Sequence, residues 1–398
     1  MIEFLPVIIL VFSFLVLLTL GVPVAWCIAM SSMFTLMVAM PFSAATTTVS
    51  QRIGTGLDSF ALLAIPFFIL SGQIMSSGGI AHRLISFAKT LVGFLPGGLA
   101  LINIVSAMMM GAIAGSAMAS ASAMGTILGP EMEKEGYSKE FGAAVNITSS
   151  TTGLVIPPSN TLIVYSLASG GVSIAALFLA GYIPGILTGL FMMIVAIFWA
   201  KKHKYPVGKR SSLKEVFVKF VDAVPSLLLL VIVIGGIIGG VFTATEASAV
   251  AVLYTLLLSF YYKELSLKDL PKVILESTET TAIVMLLIGA SMCMSWVLSY
   301  ENIPQDISNF LLSVSDNKII ILLMINVILL AVGVFMDATP AVLIFTPIFL
   351  PIVTELGMDP THFGIVLMLN LCIGLCTPPV GSVLFVGGGI GKTTISKG

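Results

Sequence analysis

Long, nearly uninterrupted apolar runs dominate the chain, with little regular alternation of apolar and polar positions. At about 20 apolar residues per crossing, they predict membrane-spanning helices near 4–20, 22–41, 59–77, 176–200, 225–241, 244–262 and 279–299. A membrane barrel would instead show short alternating strands. Three more regions, 84–130, 138–175 and 303–392, are apolar but repeatedly broken by Gly, Pro, Ser and Thr. Two stretches of mixed polarity, 42–58 and 263–278, fit either plain loops or helices lying in the membrane interface. The first run lacks a basic leader ahead of it, so it is expected to be a span rather than a cleaved signal.

Composition narrows the class. Hydrophobic residues make up 58% of the 398 positions and charged residues 9%, against about 25% charged in soluble domains. Mean hydropathy is +1.11. Too few charges are present to cover a soluble globule of this size, and a net charge of −1 supplies no bulk field to recruit nucleic acid. Lys201, Lys202, Lys204, Lys209, Arg210, Lys214 and Lys219 form one basic run. The positive-inside rule predicts that this 201–219 loop is cytoplasmic. Lys263, Lys268 and Lys272 fall on the same side two spans later. The four cysteines, Cys27, Cys293, Cys372 and Cys376, sit in apolar runs and are expected as small core residues.

An internal repeat organises the chain. At one constant offset, Gly153-Leu-Val-Ile-Pro-Pro158 overlays Gly374-Leu-Cys-Thr-Pro-Pro379, Ala117 meets Ala338, and Pro130 meets Pro351. The second copy starts at the basic loop. Inverted repeats with helices broken at the midplane are the usual build of secondary transporters. The first copy ends with a span at 176–200, whose counterpart would fall at about 397–421. The chain as given ends at Gly398, and the expected reading is that the sequence is incomplete.

Each copy carries two polar interruptions: Gly111–Ser120 and Ser149–Thr161 in the first, Gly333–Pro340 and Gly374–Ser382 in the second. Unwound backbone at membrane depth survives only where something satisfies it. A dehydrated sodium ion is one such partner, since carbonyls and hydroxyls suit a hard cation. Asp337 is a rare acid inside an apolar run and is therefore a functional candidate. It is also placed to be a helix N-cap, with Pro340 early in the next helix. Thr339 and Thr377 are its expected neighbours. Glu246, in Thr243-Ala-Thr-Glu246, reads as a capping box. No Ser–His–Asp set or carboxylate pair suggests hydrolysis, and Gly387–Thr393 does not fit a phosphate loop. The chain is expected not to be an enzyme.

Several motifs resemble the large membrane subunit of tripartite ATP-independent periplasmic (TRAP) transporters, the DctM-like family. They are Ile65-Pro-Phe-Phe-Ile-Leu-Ser-Gly72, Gly78-Gly-Ile-Ala-His-Arg-Leu-Ile85, Leu95-Pro-Gly-Gly-Leu-Ala100, Gly115-Ser-Ala117, Met336-Asp337, His362-Phe-Gly364 and Gly374-Leu-Cys-Thr-Pro-Pro-Val-Gly381. The resemblance spans nearly the whole chain. It implies an all-α polytopic membrane protein with two inverted repeats, each giving a re-entrant hairpin and a broken helix to the moving part of an elevator carrier. It implies residues 1–78 as scaffold helices and interfacial arm, and 79–175 as the first transport half. Residues 176–224 would be a scaffold helix and basic linker, 225–299 the second scaffold and arm, and 300–398 the second transport half.

The same resemblance implies at least two sodium sites between hairpin tips and broken helices. The first would draw on Gly115, Ser116, Ser149, Ser150, Thr152 and Pro157. The second would draw on Asp337, Thr339, Gly374, Thr377 and Pro378. Substrate would lie between the tips, near Ser159, Asn160 and Ser382. The implied cargo is an organic acid of the sialic acid or C4-dicarboxylate class. The implied partners are a soluble periplasmic binding protein and a small four-helix membrane subunit on a separate chain, all at the bacterial inner membrane. At the first tip the chain departs from the family pattern, with Ala114 in place of a Ser and Ser120 in place of an Asp. Two rival readings are a self-sufficient sodium–dicarboxylate carrier and an ion channel.

Overall fold

The computed structural model describes residues 5–77, 79–315, 317–378, 381–391 and 393. It is 82% helix. The first repeat opens with α1 (Leu5–Thr19), α2 (Val24–Ala39), α3 (Phe42–Leu57) and α4 (Ala64–Ser77). An amphipathic helix, α5 (Ile80–Val92), follows, then a hairpin of α6 (Gly98–Ala114) and α7 (Ala117–Lys134). A helix broken into α8 (Lys139–Ser150), α9 (Thr152–Val155) and α10 (Asn160–Ala168) leads to the long α11 (Ile174–His203). The second repeat runs α12 (Leu213–Ile238), α13 (Ala244–Tyr261), α14 (Leu270–Tyr300) and α15 (Ile303–Val314). It continues with the hairpin α16 (Lys318–Phe335) and α17 (Ala338–Glu355), then the broken pair α18 (Pro360–Leu375) and α19 (Ser382–Ile390). Among the described residues six helices are long and apolar enough to cross a membrane, and up to seven if the bent α3–α4 pair counts as one span.

Contacts show that the repeats are inverted. The Tyr165 hydroxyl, near the end of the first broken helix, donates to the carbonyl of Pro360 at the start of the second. At the opposite end, Gly387 of α19 lies against Ile147, and Gly391 just beyond it against Ala143, both of α8. The two broken helices therefore run antiparallel.

Within each repeat the hairpin's first arm meets the broken helix through paired glycines. A Cβ built on Gly111 would sit 2.4 Å from the Gly153 Cα, and one on Gly374 would sit 2.4 Å from the Gly333 Cα. Without side chains the two backbones touch directly, which is how helices gain packing energy where no hydrophobic drive is available. A hydrogen bond accompanies each crossing. Ser149 Oγ donates to Asn103 Oδ1 at 3.1 Å, and Asn370 Nδ2 donates to Asn326 Oδ1 at 2.6 Å.

Two stretches gain definition. The 263–278 stretch, open between loop and interfacial helix, is helical from Leu270 as the first part of the continuous α14. Its first-repeat counterpart does bend, by 64° between α3 and α4. The polar run in α14 is accommodated by side-chain partners, since Gln73 Nε2 of α4 donates to Glu276 at 2.8 Å. The basic run is also mostly helical. Lys201 and Lys202 end α11, while Lys214 and Lys219 lie in α12. The intervening segment is docked rather than free: Val207 bridges Pro96, and Tyr205 stacks on Tyr137 with centroids 4.3 Å apart. Glu246 forms the expected capping box with Thr243. Cys27, Cys293 and Cys372 are buried and Cys376 half-buried, all unpaired.

Arg83 of α5 ties the repeats together. Its guanidinium lies 2.8 Å from Glu264, 3.6 Å from Asp222 and 3.5 Å above the Tyr262 ring.

The glycine crossings give a direct expectation. Gly153→Ala and Gly374→Ala should each lower the thermal unfolding midpoint of the purified protein by several degrees and reduce transport. Gly54→Ala, where nothing lies within 4 Å, should be neutral or stabilising by up to about 1 kcal/mol. Equal tolerance at all three positions would show that the backbone crossing carries no stability.

Candidate functional site between the hairpin tips

The two hairpins turn at chemically different tips. The first arm of one ends at Gly115, whose φ of +59° lies in the left-handed region that glycine adopts without strain. Ser116 then caps α7, accepting the Ala119 N–H at 3.3 Å. At the other tip Asp337 occupies the N-cap position of α17 but makes no side-chain cap bond. Its Oδ1 accepts from Ser382 Oγ of α19 at 3.1 Å. The carboxylate is thus held by the broken helix rather than by its own helix.

Both tips open into one cavity of about 110 Å³. Four helices begin at its wall. Ala117 and Met118 start α7, Asn160 and Thr161 start α10, Ala338 and Thr339 start α17, and Val383 lies in the first turn of α19. A helix N-terminus carries roughly half a positive charge and unsatisfied N–H groups. Ile65 and Ile69 of α4 with Thr280 and Val284 of α14 close the remaining side. Among the described residues the lining contains one carboxylate, Asp337, and no Lys, Arg or His.

The expected site residues divide into two groups. Gly115, Ser116, Asn160, Asp337 and Thr339 line the cavity, and Ser382 reaches it through Asp337. The Asn160 Oδ1 is buried without a partner. Ser159 is behind the wall: it caps α10 and donates to the Leu154 carbonyl at 2.7 Å. Ser149, Ser150 and Thr152 are buried in the broken helix, where Ser150 bonds the Asn146 carbonyl and Thr152 the Ser149 carbonyl, each at 2.6 Å. Pro157 forms a cis peptide with Pro158 and packs against α11 at Gly181. Gly374 serves the glycine crossing. Thr377 Oγ1 returns to the Ile373 carbonyl at 2.7 Å, and Pro378 is exposed. Pro379 and Val380 lie outside the described residues. Ser120, at the position where the family carries Asp, is buried with its hydroxyl 3.5 Å from the Ala107 carbonyl.

Thr161 and Thr280 line the cavity without having been singled out in the sequence. Thr280 belongs to the polar run Glu276-Ser-Thr-Glu-Thr-Thr281, whose threonines could have marked a wet helix face. Among the described residues no group of three or more His, Cys, Asp or Glu could hold a transition metal.

Comparisons with known proteins place this architecture. Residues 11–397 match the family described as "Tripartite ATP-independent periplasmic transporter, DctM component". The chain belongs to the DctM family. It is 56% identical over 392 residues to "Uncharacterized protein YgiK" of Salmonella typhimurium, covering 98% of this chain and 90% of that protein. It is 37% identical to the C4-dicarboxylate TRAP transporter large permease protein DctM of Rhodobacter capsulatus, covering 88% and 83%. It is also 37% identical to the sialic acid TRAP transporter large permease protein SiaM of Vibrio cholerae, covering 98% and 91%. In structure it is similar to the Alcanivorax borkumensis YdaH transporter, described as having an unusual topology. That match has a TM-score of 0.63, 14% identity, and coverage of 89% of this chain and 83% of that one. As a DctM-family permease the chain is a multi-pass membrane protein, and its relatives are transporters rather than enzymes.

The asparagine pair between α16 and α18, with Asn370 buried and Asn326 half-buried, is testable in this permease. Asn370→Leu alone leaves the Asn326 carbonyl oxygen without its donor and should cost about 1–3 kcal/mol. The Asn326→Leu/Asn370→Leu double variant should recover part of that loss. A double-mutant cycle on denaturation midpoints reads the coupling, and strict additivity would remove the pair from the account.

Proposed function

We propose that this permease is the large membrane subunit of a sodium-coupled importer of a small organic acid. The observation that carries the proposal is the convergence of four helix N-termini on a cavity that holds one carboxylate and no cationic side chain. N-terminal N–H groups suit an anion. Asp337 opposes it, since two like unit charges 4 Å apart repel by about 4 kcal/mol at an effective dielectric of 20. A cation between them turns this repulsion into mutual attraction, so acid and cation bind better together than apart. Asp337, Ser382, Ser116 and the carbonyls of the interrupted helices are hard oxygen ligands, which favours sodium over softer metals. The relatives named for C4-dicarboxylate and sialic acid support an organic acid cargo. A cavity of about 110 Å³, well below the ~300–1,000 Å³ of drug-sized sites, favours the four-carbon class.

The mechanism follows from the packing. Hairpins and broken helices are joined to one another by the glycine crossings and to each other by Tyr165, forming one body. Helices α4 and α14 close the cavity with isoleucine, valine and threonine side chains that make no charged bond to it. Sliding of the central body past this wall would carry the cavity across the membrane, as an elevator does. The family's tripartite description supports a soluble binding protein and a small membrane subunit as partners. The basic segment between α11 and α12 would face the cytoplasm at the bacterial inner membrane.

The test is uptake of labelled succinate and sialic acid into proteoliposomes containing the chain and its small subunit, with and without the cognate binding protein. Uptake should need an inward sodium gradient, favour succinate, and fall at least tenfold in Asp337→Asn. Uptake that follows a proton gradient and ignores sodium would overturn the coupling. Uptake without the binding protein would assign the chain to the self-sufficient carriers, and ion flux without acid would make it a channel.

A further inference from the structure

A second cavity, of about 520 Å³, lies away from the hairpin tips, where the basic segment folds back against the base of the first hairpin. Lys89 of α5, Lys219 of α12, and Lys209 and Arg210 of the connecting segment line it together with Glu135 and Glu215. Four cations thus face two carboxylates in a chain whose net charge is −1. Among the described residues none of the four has a carboxylate oxygen within ion-pair distance; the ion pairs formed are those of Arg83, Lys139 and Lys272. The first residues of α6, Gly98 and Leu99, also line the cavity, adding the positive end of a 17-residue helix.

The segment that brings the cations here is fixed in place. Val207 bridges Pro96, a Cβ on Gly208 would lie 2.4 Å from the Gly93 carbonyl oxygen, and the Arg210 guanidinium sits 5.2 Å from the Phe94 ring centroid. Like charges are being held together, and an anion would relieve the cost. The surroundings indicate its source. The helix supplying Lys219 also exposes Leu213, Phe217 and Val218 by 90, 66 and 54%, and it is long and apolar enough to cross a membrane, so an exposed apolar surface begins beside the cavity. Such basic pockets at membrane-spanning helices suit anionic lipid head groups.

We propose that this cavity binds the phosphate head group of an anionic phospholipid, tethering the hairpin base and the inter-repeat segment to the membrane surface. The proposal is independent of the transported acid.

Native mass spectrometry of the purified full chain, titrated with phosphatidylglycerol, cardiolipin and phosphatidylcholine, tests it. Each cation near the surface contributes about 1 kcal/mol, so Lys209→Ala/Arg210→Ala/Lys219→Ala should weaken the anionic lipids roughly a hundredfold. Lys89→Gln, a single exposed substitution that leaves the fold intact, should weaken them about fivefold. The control Lys201→Ala/Lys202→Ala/Lys204→Ala removes the same charge outside the cavity and should leave binding unchanged. Equal losses in both triple variants, or unchanged binding in both the cavity triple and Lys89→Gln, would overturn the site. Displacement of bound lipid by millimolar inorganic phosphate would overturn the lipid assignment and make it a site for soluble phosphate.

Discussion

A backbone that stops being helical inside a bilayer must find other partners for the N–H and C=O groups it frees. That constraint organises this permease. Two hairpin tips and two helix breaks are collected around one small cavity, where four helix N-termini, Asp337 and a few hydroxyls interrupt a mostly apolar lining. The paired glycines make this possible because only bare backbones approach closely enough to bring tip and break together. The asparagine hydrogen bonds beside them fix the sliding register of each crossing. A helix interruption that would be a defect elsewhere becomes the shared wall of a cavity.

The wall's electrostatics rest on backbone rather than side chains. Four helix N-termini supply the positive field that a pair of arginines would supply in a soluble anion site, and they do so without a charged side chain that would have to be desolvated. In the proposed mechanism Asp337 sets the sign of the coupling. Held by Ser382 from the opposite helix, it is positioned by the same contact that joins the second tip to its break. The site and the fold around it are therefore two aspects of one arrangement.

Much of this could be read from the sequence because Gly, Pro, Ser and Thr punctuate apolar runs that otherwise have no reason to break. The tips at Gly115–Ser116 and Asp337 and the breaks near Pro157 and Thr377 were visible that way, and so was the repeat. Three features were not. The continuity of α14 through Glu276–Thr281 was hidden because its acceptable environment comes from Gln73, 203 positions earlier. Thr280 could not be assigned to the cavity without knowing which face of α14 meets the tips. The resemblance places Ser159 and Thr152 at the site, and that their hydroxyls donate to carbonyls of their own segment could not be read from residue type. Local pattern reveals where a helix breaks, but not which hydroxyls face the cavity once the chain has folded around the break.

The Arg83 contact has a consequence for how the protein is made. Its short-range carboxylate partner, Glu264, lies 181 positions later, and Asp222 also belongs to the second repeat. At ~5–20 residues per second of synthesis, the first repeat waits about 10–40 s for that partner. During that interval Arg83 and the side of α5 that packs on α12 have no native partner. The first half of the molecule is therefore an incomplete client of the insertion machinery until the second has emerged, and the two halves reach their final form together.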